Sequence, residues 1–241
     1  MGFELYYSPK PPTDGQLVIT GSEARHIARV IRHKVGDVIG VTDGAGAEYE
    51  VKLAEVKADR VAGRVLSTQS GAREPKHRVT IAQAVLKGDR LAQVCEQATE
   101  LGVSRIIPVQ TARTVGRLSA ARLARLRAVS LAALKSSSRT VLPGIDAAIE
   151  LGGLLKANNE FDQTLVAYEE ETGPGLEAVL KRDAGSVLIV IGPEGGFEPA
   201  EIDALKAAGA VSFSLGPRRL RAETAAVAVA AMTLGRLGDL G

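Results

Sequence analysis

The sequence predicts a small β-rich domain followed by an α/β domain built on a largely parallel sheet. Three observations carry this. Up to about residue 70, apolar residues come in short β-branched runs split by turn signals. From Val79 onward, apolar runs alternate with longer helical patterns, as βα units do. Between the two, Thr68 to Lys76 is polar and carries Gly and Pro. The predicted boundaries are 1–70 for the first domain, 71–78 for a linker and 79–241 for the second.

In the first domain, Leu17–Ile19, Val38–Val41, Glu48–Val56 and Arg60–Leu66 read as strands. Asp14-Gly15, Thr42-Asp43-Gly44 and Ala58-Asp59 separate them. One helix interrupts them, Ser22 to His33, with Ser22 as its N-cap. In the second domain, strands are predicted at Val79–Ala84, Arg105–Val109, Thr164–Ala167, Ser186–Ile191 and Val211–Ser214. Helices are predicted at Asp89–Leu101, Ser119–Lys135, Glu198–Ala208 and Ala222–Leu237.

Composition removes several classes of function. The 241 residues are 45% hydrophobic and 24% charged, with a net charge of +2, so nothing global demands a polyanionic partner. Cys95 is the lone cysteine, which rules out an internal disulfide, argues against a cysteine-based zinc site and fits a reducing cytoplasm. The stretch Met1-Gly2-Phe3-Glu4-Leu5 lacks a signal-peptide pattern, and no apolar run approaches a membrane span.

The predicted first-domain helix is strongly sided. At 100° per residue, Arg25, Arg29 and Arg32 share one stripe, flanked by His26 and His33, and Ile27, Val30 and Ile31 take the opposite one. A solvated amphipathic helix is the plain alternative. However, no carboxylate sits at helical spacing inside the stripe, and like charges in a row repel. A phosphate backbone would relieve that repulsion, so Arg25, His26, Arg29 and Arg32 are the candidate RNA contacts.

The second domain carries two strand-to-helix turns, Ile191 to Pro199 and Leu215 to Thr224. Their closeness in sequence suggests neighbouring strand ends that open on one crevice, where open α/β sheets bind ligands. Gly192, Gly195 and Gly196 permit close backbone approach, and Pro199 suits the first turn of a helix. Arg218, Arg219 and Arg221 precede a helix N-terminus, where the dipole disfavours cations, so an anionic ligand is expected there. Glu223 begins that helix; capping, pairing with an arginine and proton abstraction all fit it. The helix Thr224 to Met232 is nearly all small and apolar, which predicts burial all round, within the sheet packing or against a second subunit.

The turns match neither a Walker loop nor a dinucleotide fingerprint. With no nucleophile elbow, no metal-ligand cluster and no Cys/His pair, a transfer reaction driven by a reactive cofactor fits better than hydrolysis.

The residues resemble a known family. Ile191-Gly192-Pro193-Glu194-Gly195-Gly196-Phe197 followed by Glu201-Ile202, then Leu215 to Ala225, is similar to the ribosomal RNA small subunit methyltransferase E family of the SPOUT superfamily. Lys87-Gly88-Asp89 with Ala98 to Val103 resembles the opening of its catalytic domain. His26-Ile27, Val30-Ile31-Arg32 and Gly36-Asp37 resemble its PUA-like domain. The resemblance implies an α/β fold with a C-terminal SPOUT trefoil knot preceded by a small PUA-like β-barrel. It also implies a homodimer that uses S-adenosylmethionine to methylate N3 of one uridine in the decoding region of 16S rRNA, within the 30S subunit and in the cytoplasm, with no metal. The implied cofactor residues are Ala167, Tyr168, Glu169, Ile191, Gly192, Glu194, Gly195, Gly196, Leu215, Gly216, Arg218, Leu220, Thr224 and Ala225. Arg221 is the candidate anion-stabilising group and Glu223 the candidate base. The small-residue C-terminal helix would pack at the dimer interface.

Two positions depart from the family pattern. The family usually carries an Arg before an aromatic near its start, where this chain has Glu4-Leu5-Tyr6-Tyr7. It tends to have Gln where this chain has Ser136. Competing readings are a SPOUT methylase for another RNA, such as tRNA, and an RNA-binding assembly factor whose catalysis has decayed; the intact turns argue against the latter.

Overall fold

The computed structural model describes residues 5–240, the side chain of 158 excepted; Glu4, where the N-terminal departure begins, lies outside them. The chain divides into two compact units. One holds the residues up to Glu74 together with Ala132–Leu142, and the other holds Pro75–Leu131 and the residues from Pro143 on. The 132–142 segment, assigned from sequence to the second domain, thus groups with the first unit.

The first unit is a five-stranded sheet. Its strands are β1 (Leu5–Tyr7), β2 (Gln16–Thr20), β3 (Val38–Thr42), β4 (Ala47–Val56) and β5 (Arg60–Ser70), in the order β1-β3-β4-β5-β2. Only the β1–β3 pair is parallel. Side chains alternate, so Leu17 and Ile19, Val51 and Leu53, and Val61 point into one core with Tyr6 and Ile27. A Cβ on Gly63 would stand 2.5 Å from the Lys52 carbonyl oxygen, so β4 and β5 approach closely only because Gly63 has none. The strand β5 runs to Ser70, into the stretch read as linker. Glu74 ties in the 132–142 segment: it accepts from the Thr140 and Val141 N–H groups and pairs with the buried Arg139 at 2.7 Å.

The predicted helix over 22–33 is corrected. A short α-helix, α1 (Gly21–Arg25), follows Thr20, which takes the N-cap place assigned to Ser22. A π-helical turn, His26–Ile31, then ends at Arg32 in the left-handed region, φ 65°. The wider turn breaks the 100° spacing. Ile27 is buried, but Val30 and Ile31 are 64% and 41% exposed, so the predicted apolar face does not form.

The second unit is a parallel sheet with helices on both faces. Its strands are β6 (Arg78–Ala84), β7 (Arg105–Gln110), β8 (Gly144–Ile145), β9 (Ile149–Glu150), β10 (Gln163–Ala167), β11 (Ser186–Ile191) and β12 (Val211–Phe213). The order is β12-β10-β11-β6-β7-β8, with β9 also on β7. Its helices are α2 (Arg90–Leu101), α3 (Ala120–Ser136, whose end falls in the first unit), α4 (Leu151–Ala157), α5 (Leu176–Val179), α6 (Pro199–Ala207) and α7 (Ala222–Leu237), with a 3-10 turn at Asn158–Glu160.

Every residue of β11 is buried, because a central parallel strand is covered on both sides. Val187, Ile189 and Ile191 face a core with Leu91, Val94, Val229 and Leu234 of α2 and α7. Leu188 and Val190 face the opposite core with Leu154, Ile202 and Leu205 of α4 and α6. The helix α7 is not buried all round: Ala226, Val229, Ala230 and Leu234 are covered, while Thr224 and Gly235 are exposed and Met232 is 46% exposed. Within one chain α7 packs against α2, α5, β6 and β11, and its outer face stays open.

Candidate functional site

The site forms where β10 lies between β11 and β12. The chain leaves β10 for one neighbour and returns to the other, so the loops beyond the strand ends diverge and leave a crevice. Three loops form most of its wall, beginning at Ala167, Ile191 and Ser214, around a cavity of about 1090 Å³.

The Ile191–Glu198 turn is pinned at several positions. Gln83, buried in β6, donates to the Gly192 carbonyl oxygen at 3.2 Å. A Cβ on Gly192 would press on the Phe197 ring at 3.0 Å. The Glu194 carboxylate accepts from the Lys87 N–H at 3.0 Å and from Arg90 at 3.1 Å. Burial pushes the Glu194 carboxyl upward, but the backbone N–H groups and Arg90 outweigh it and hold the group below the usual carboxylate range. Gly196 adopts φ +72°, and a Cβ there would collide with the Glu169 carboxylate. Downstream, Glu198 and Glu201 form a reciprocal capping box at the start of α6, with Pro199 in its first turn. Glu201 also accepts from the Ala112 N–H at 2.8 Å.

The loop after β10 contributes Tyr168 and Glu169. The Tyr168 hydroxyl donates to Glu170 at 2.7 Å, and that bond, burial and the neighbouring glutamates push the phenol up to about 12. It therefore stays protonated. Ser212 and the Gly173 N–H hold the Glu171 carboxyl below its ordinary value.

The loop after β12 carries Arg218, Arg219 and Arg221 to the cavity. All three are exposed, and none pairs with a carboxylate among the described residues. Arg221 occupies the N-cap position of α7 without a side-chain cap bond, so the free N–H groups of the first turn add to the positive field.

The cavity brings together Arg221 and all the cofactor residues expected from sequence except Thr224, which is exposed on α7. Glu223 also lies outside the lining. It turns toward Arg90, 3.7 Å from the guanidinium, and its Oε2 is buried without a hydrogen-bond partner. Sequence reasoning missed Glu170, Glu171, Thr172 and Ser214 beside the expected residues, and missed Arg90 and Arg113, which reach the cavity from elsewhere in the chain. Arg113 donates to the Gly195 carbonyl oxygen at 2.9 Å.

In the first unit, Arg25, Arg29 and Arg32 are exposed and His26 is half-buried. No carboxylate pairs with the three arginines among the described residues. His33 bridges the Asp37 carboxylate and the Tyr6 hydroxyl, each at 3.0 Å, which fastens the π-helical turn to β1. Ser136 spends its hydroxyl on the Ala133 carbonyl within α3.

Family comparison decides between the chemistries this crevice allows. A model of the RNA methyltransferase domain matches residues 72–234, and one of the RNA methyltransferase PUA domain matches 19–66. The ribosomal RNA small subunit methyltransferase E of Bacillus subtilis is 35% identical, covering 86% of this chain and 85% of that protein. The protein of that name from Mycobacterium bovis is 33% identical over 98% and 91%. The chain belongs to the ribosomal RNA small subunit methyltransferase E family. Solved structures of similar proteins extend over this whole methyltransferase chain. One from Neisseria gonorrhoeae, bound to S-adenosyl methionine, has a TM-score of 0.88 at 26% identity, covering 97% of this chain and 98% of that one. A putative methyltransferase from Legionella pneumophila, in complex with the same cofactor, has a TM-score of 0.89 at 25% identity, covering 98% of each. Among the described residues of this family member, no helix is long and apolar enough to cross a membrane.

Proposed function

We propose that this RNA methyltransferase uses S-adenosylmethionine to methylate N3 of one uridine in the decoding region of 16S rRNA. The observation that carries the reading is the convergence of a rigid Gly195-Gly196 turn and three unpaired arginines on one cavity. The names of the relatives and the cofactor in the neighbouring structures support it. The residues fit such a group: Gly196 has no Cβ, which lets the Glu169 carboxylate stand against the turn at the cavity wall. The cavity, about 1090 Å³, has the size of a small-ligand site, roughly 300–1,000 Å³.

S-adenosylmethionine supplies an electrophilic methyl on a sulfonium. The N3–methyl bond forms as the sulfur–methyl bond breaks, and the N3 proton passes to solvent. The protein aligns the two partners and stabilises negative charge on the uridine ring. Arg221, at the free N-terminus of α7, takes that role, and Arg218 serves phosphate or cofactor. Glu223, turned to Arg90, holds that guanidinium in place; proton abstraction by it would need it to turn into the cavity.

The remaining family features are proposed on the same footing. The return from β11 past β10 to β12, and then of α7 onto α2 and β6, supports the reading of this unit as the trefoil-knot domain. The open face of α7 is the homodimer surface. Residues 1–70 serve as the RNA-binding PUA-like domain, with Arg25, His26, Arg29 and Arg32 on RNA, and the protein acts in the cytoplasm. The test is methylation of 30S subunits that lack the modification, with the methylated nucleotide mapped by mass spectrometry. Methyl found only in another RNA overturns the substrate; failure to bind S-adenosylmethionine by calorimetry overturns the enzyme reading in favour of an assembly factor.

A further inference from the structure

Two opposite charges flank the consecutive glycines of the cofactor turn. The Glu169 carboxylate lies against Gly196, where a Cβ would collide with it. Arg113 lies against Gly195, its Cβ 3.3 Å from the place a Gly195 Cβ would take, and Nη1 donates to the Gly195 carbonyl oxygen at 2.9 Å. Both side chains line the cavity. They come from different loops, one after β10 and one after β7, so the pairing across the glycines is made by the fold and not by sequence neighbourhood.

The nearby carboxylates are already engaged. Glu170 accepts from Tyr168, and Glu171 accepts from Ser212 and the Gly173 N–H. Glu169 has no such partner among the described residues. Arg113 spends Nη1 on Gly195 and reaches Glu198 only at 4.0 Å, so donors remain for a ligand. An acceptor with no donor and a guanidinium with spare donors, set against adjacent glycines, complement an α-amino acid zwitterion. An ammonium offers three N–H donors and a carboxylate accepts a planar fork. A sulfonium offers no N–H or O–H donor and gives a carboxylate no directional bond.

We propose that Glu169 and Arg113 form the subsite for the amino-acid end of the cofactor, Glu169 receiving the α-ammonium and Arg113 the α-carboxylate. This rests on the S-adenosylmethionine reading above. It places the methionyl group over Gly195-Gly196 and leaves Arg219 and Arg221 of the 216–221 loop for RNA.

The test is calorimetric binding of four ligands: S-adenosylmethionine, S-adenosylhomocysteine, decarboxylated S-adenosylmethionine, and methylthioadenosine, which lacks the amino-acid portion. Glu169→Gln should weaken the first three by about ten- to a hundredfold, the range of a lost charged hydrogen bond, and leave methylthioadenosine within about twofold. Arg113→Met should weaken the first two and spare the decarboxylated ligand and methylthioadenosine. Equal weakening of methylthioadenosine would reduce either residue to a structural support and overturn its assignment. Weakening of S-adenosylmethionine without S-adenosylhomocysteine would move Glu169 to the sulfonium and also overturn it, as would unchanged affinities. Wild-type protein that binds none of the four removes the cofactor reading itself, and this subsite with it.

Discussion

The two turns that face each other across the cavity are built on opposite plans. In the 191–198 turn, Glu194 is held by Arg90 and a backbone N–H, the Gly195 carbonyl by Arg113, and Glu198 by Glu201. In the 216–221 loop, Arg218, Arg219 and Arg221 have no carboxylate partner among the described residues. A turn with its charges satisfied keeps one shape before and after binding, which suits a ligand of fixed structure. A loop of exposed, unpaired arginines with long side chains suits a polyanion whose contacts form on arrival. Preorganisation belongs to one turn and availability to the other.

The sharpest way to break the contrast is Gly196→Ala. A left-handed φ and a collision with Glu169 both oppose it. S-adenosylmethionine affinity should fall by about a hundredfold or more, while the thermal melt stays cooperative; near-normal binding by calorimetry would mean the turn is more pliant than its contacts imply. The complementary change is Arg221→Ala. Its methylation rate on 30S subunits should fall by about a hundredfold, as for loss of a charge-stabilising donor, with cofactor affinity unchanged. A loss shared equally by both measurements would merge the roles of the two turns.

The contrast extends to the first unit, whose exposed arginines resemble the second loop. Arg25→Glu with Arg29→Glu should weaken RNA binding by about tenfold and lower the slope of log affinity against log salt by about 2, sparing cofactor affinity. An unchanged slope would return the π-helical turn to an ordinary solvated surface. The smallest effect belongs to Glu194→Gln, about 1 kcal/mol of stability. The folded Glu194 carboxyl lies below its ordinary value of 4.5, so its contribution is fully present above that pH and fades as pH falls through the folded value. Denaturant melts of wild type and variant should therefore differ at neutral pH and converge in acid.

Much of the fold was legible because long apolar runs flanked by turn residues leave few alternatives. The strand Ser186–Ile191 and the helix Ala222–Leu237 match the structure residue for residue. The short pieces were not legible: β1 is three residues, and β8, β9 and α5 are too brief to show a period. The π-helical turn was not legible because it winds more widely than 100° per residue, so Val30 and Ile31, which that period turns inward, stand outward in the fold. The exposed face of α7 was hidden by composition: an apolar helix says that it must be covered, not by which chain.

The cavity residues near the two turns were legible because glycines and clustered arginines are rare enough to notice. Arg113 sits in an unremarkable polar loop and is brought in by the order of strands. Arg90 left a signal that went unused. It is the first residue of α2, so it opposes a helix dipole as Arg221 does, and the same argument would have marked it.

Glu201 has a wider reach than its place in a capping box indicates. One oxygen closes the start of α6 through the Glu198 N–H, and the other holds the Ala112 N–H in the loop after β7. Two segments nearly ninety residues apart along the chain thus share one carboxylate, beside the Arg113 bond to Gly195. Removal of the carboxylate, as in Glu201→Ala, would take this acceptor from both amides at once, so both should exchange faster with solvent. One side chain thereby couples the start of α6 to the loop that carries Arg113 against Gly195.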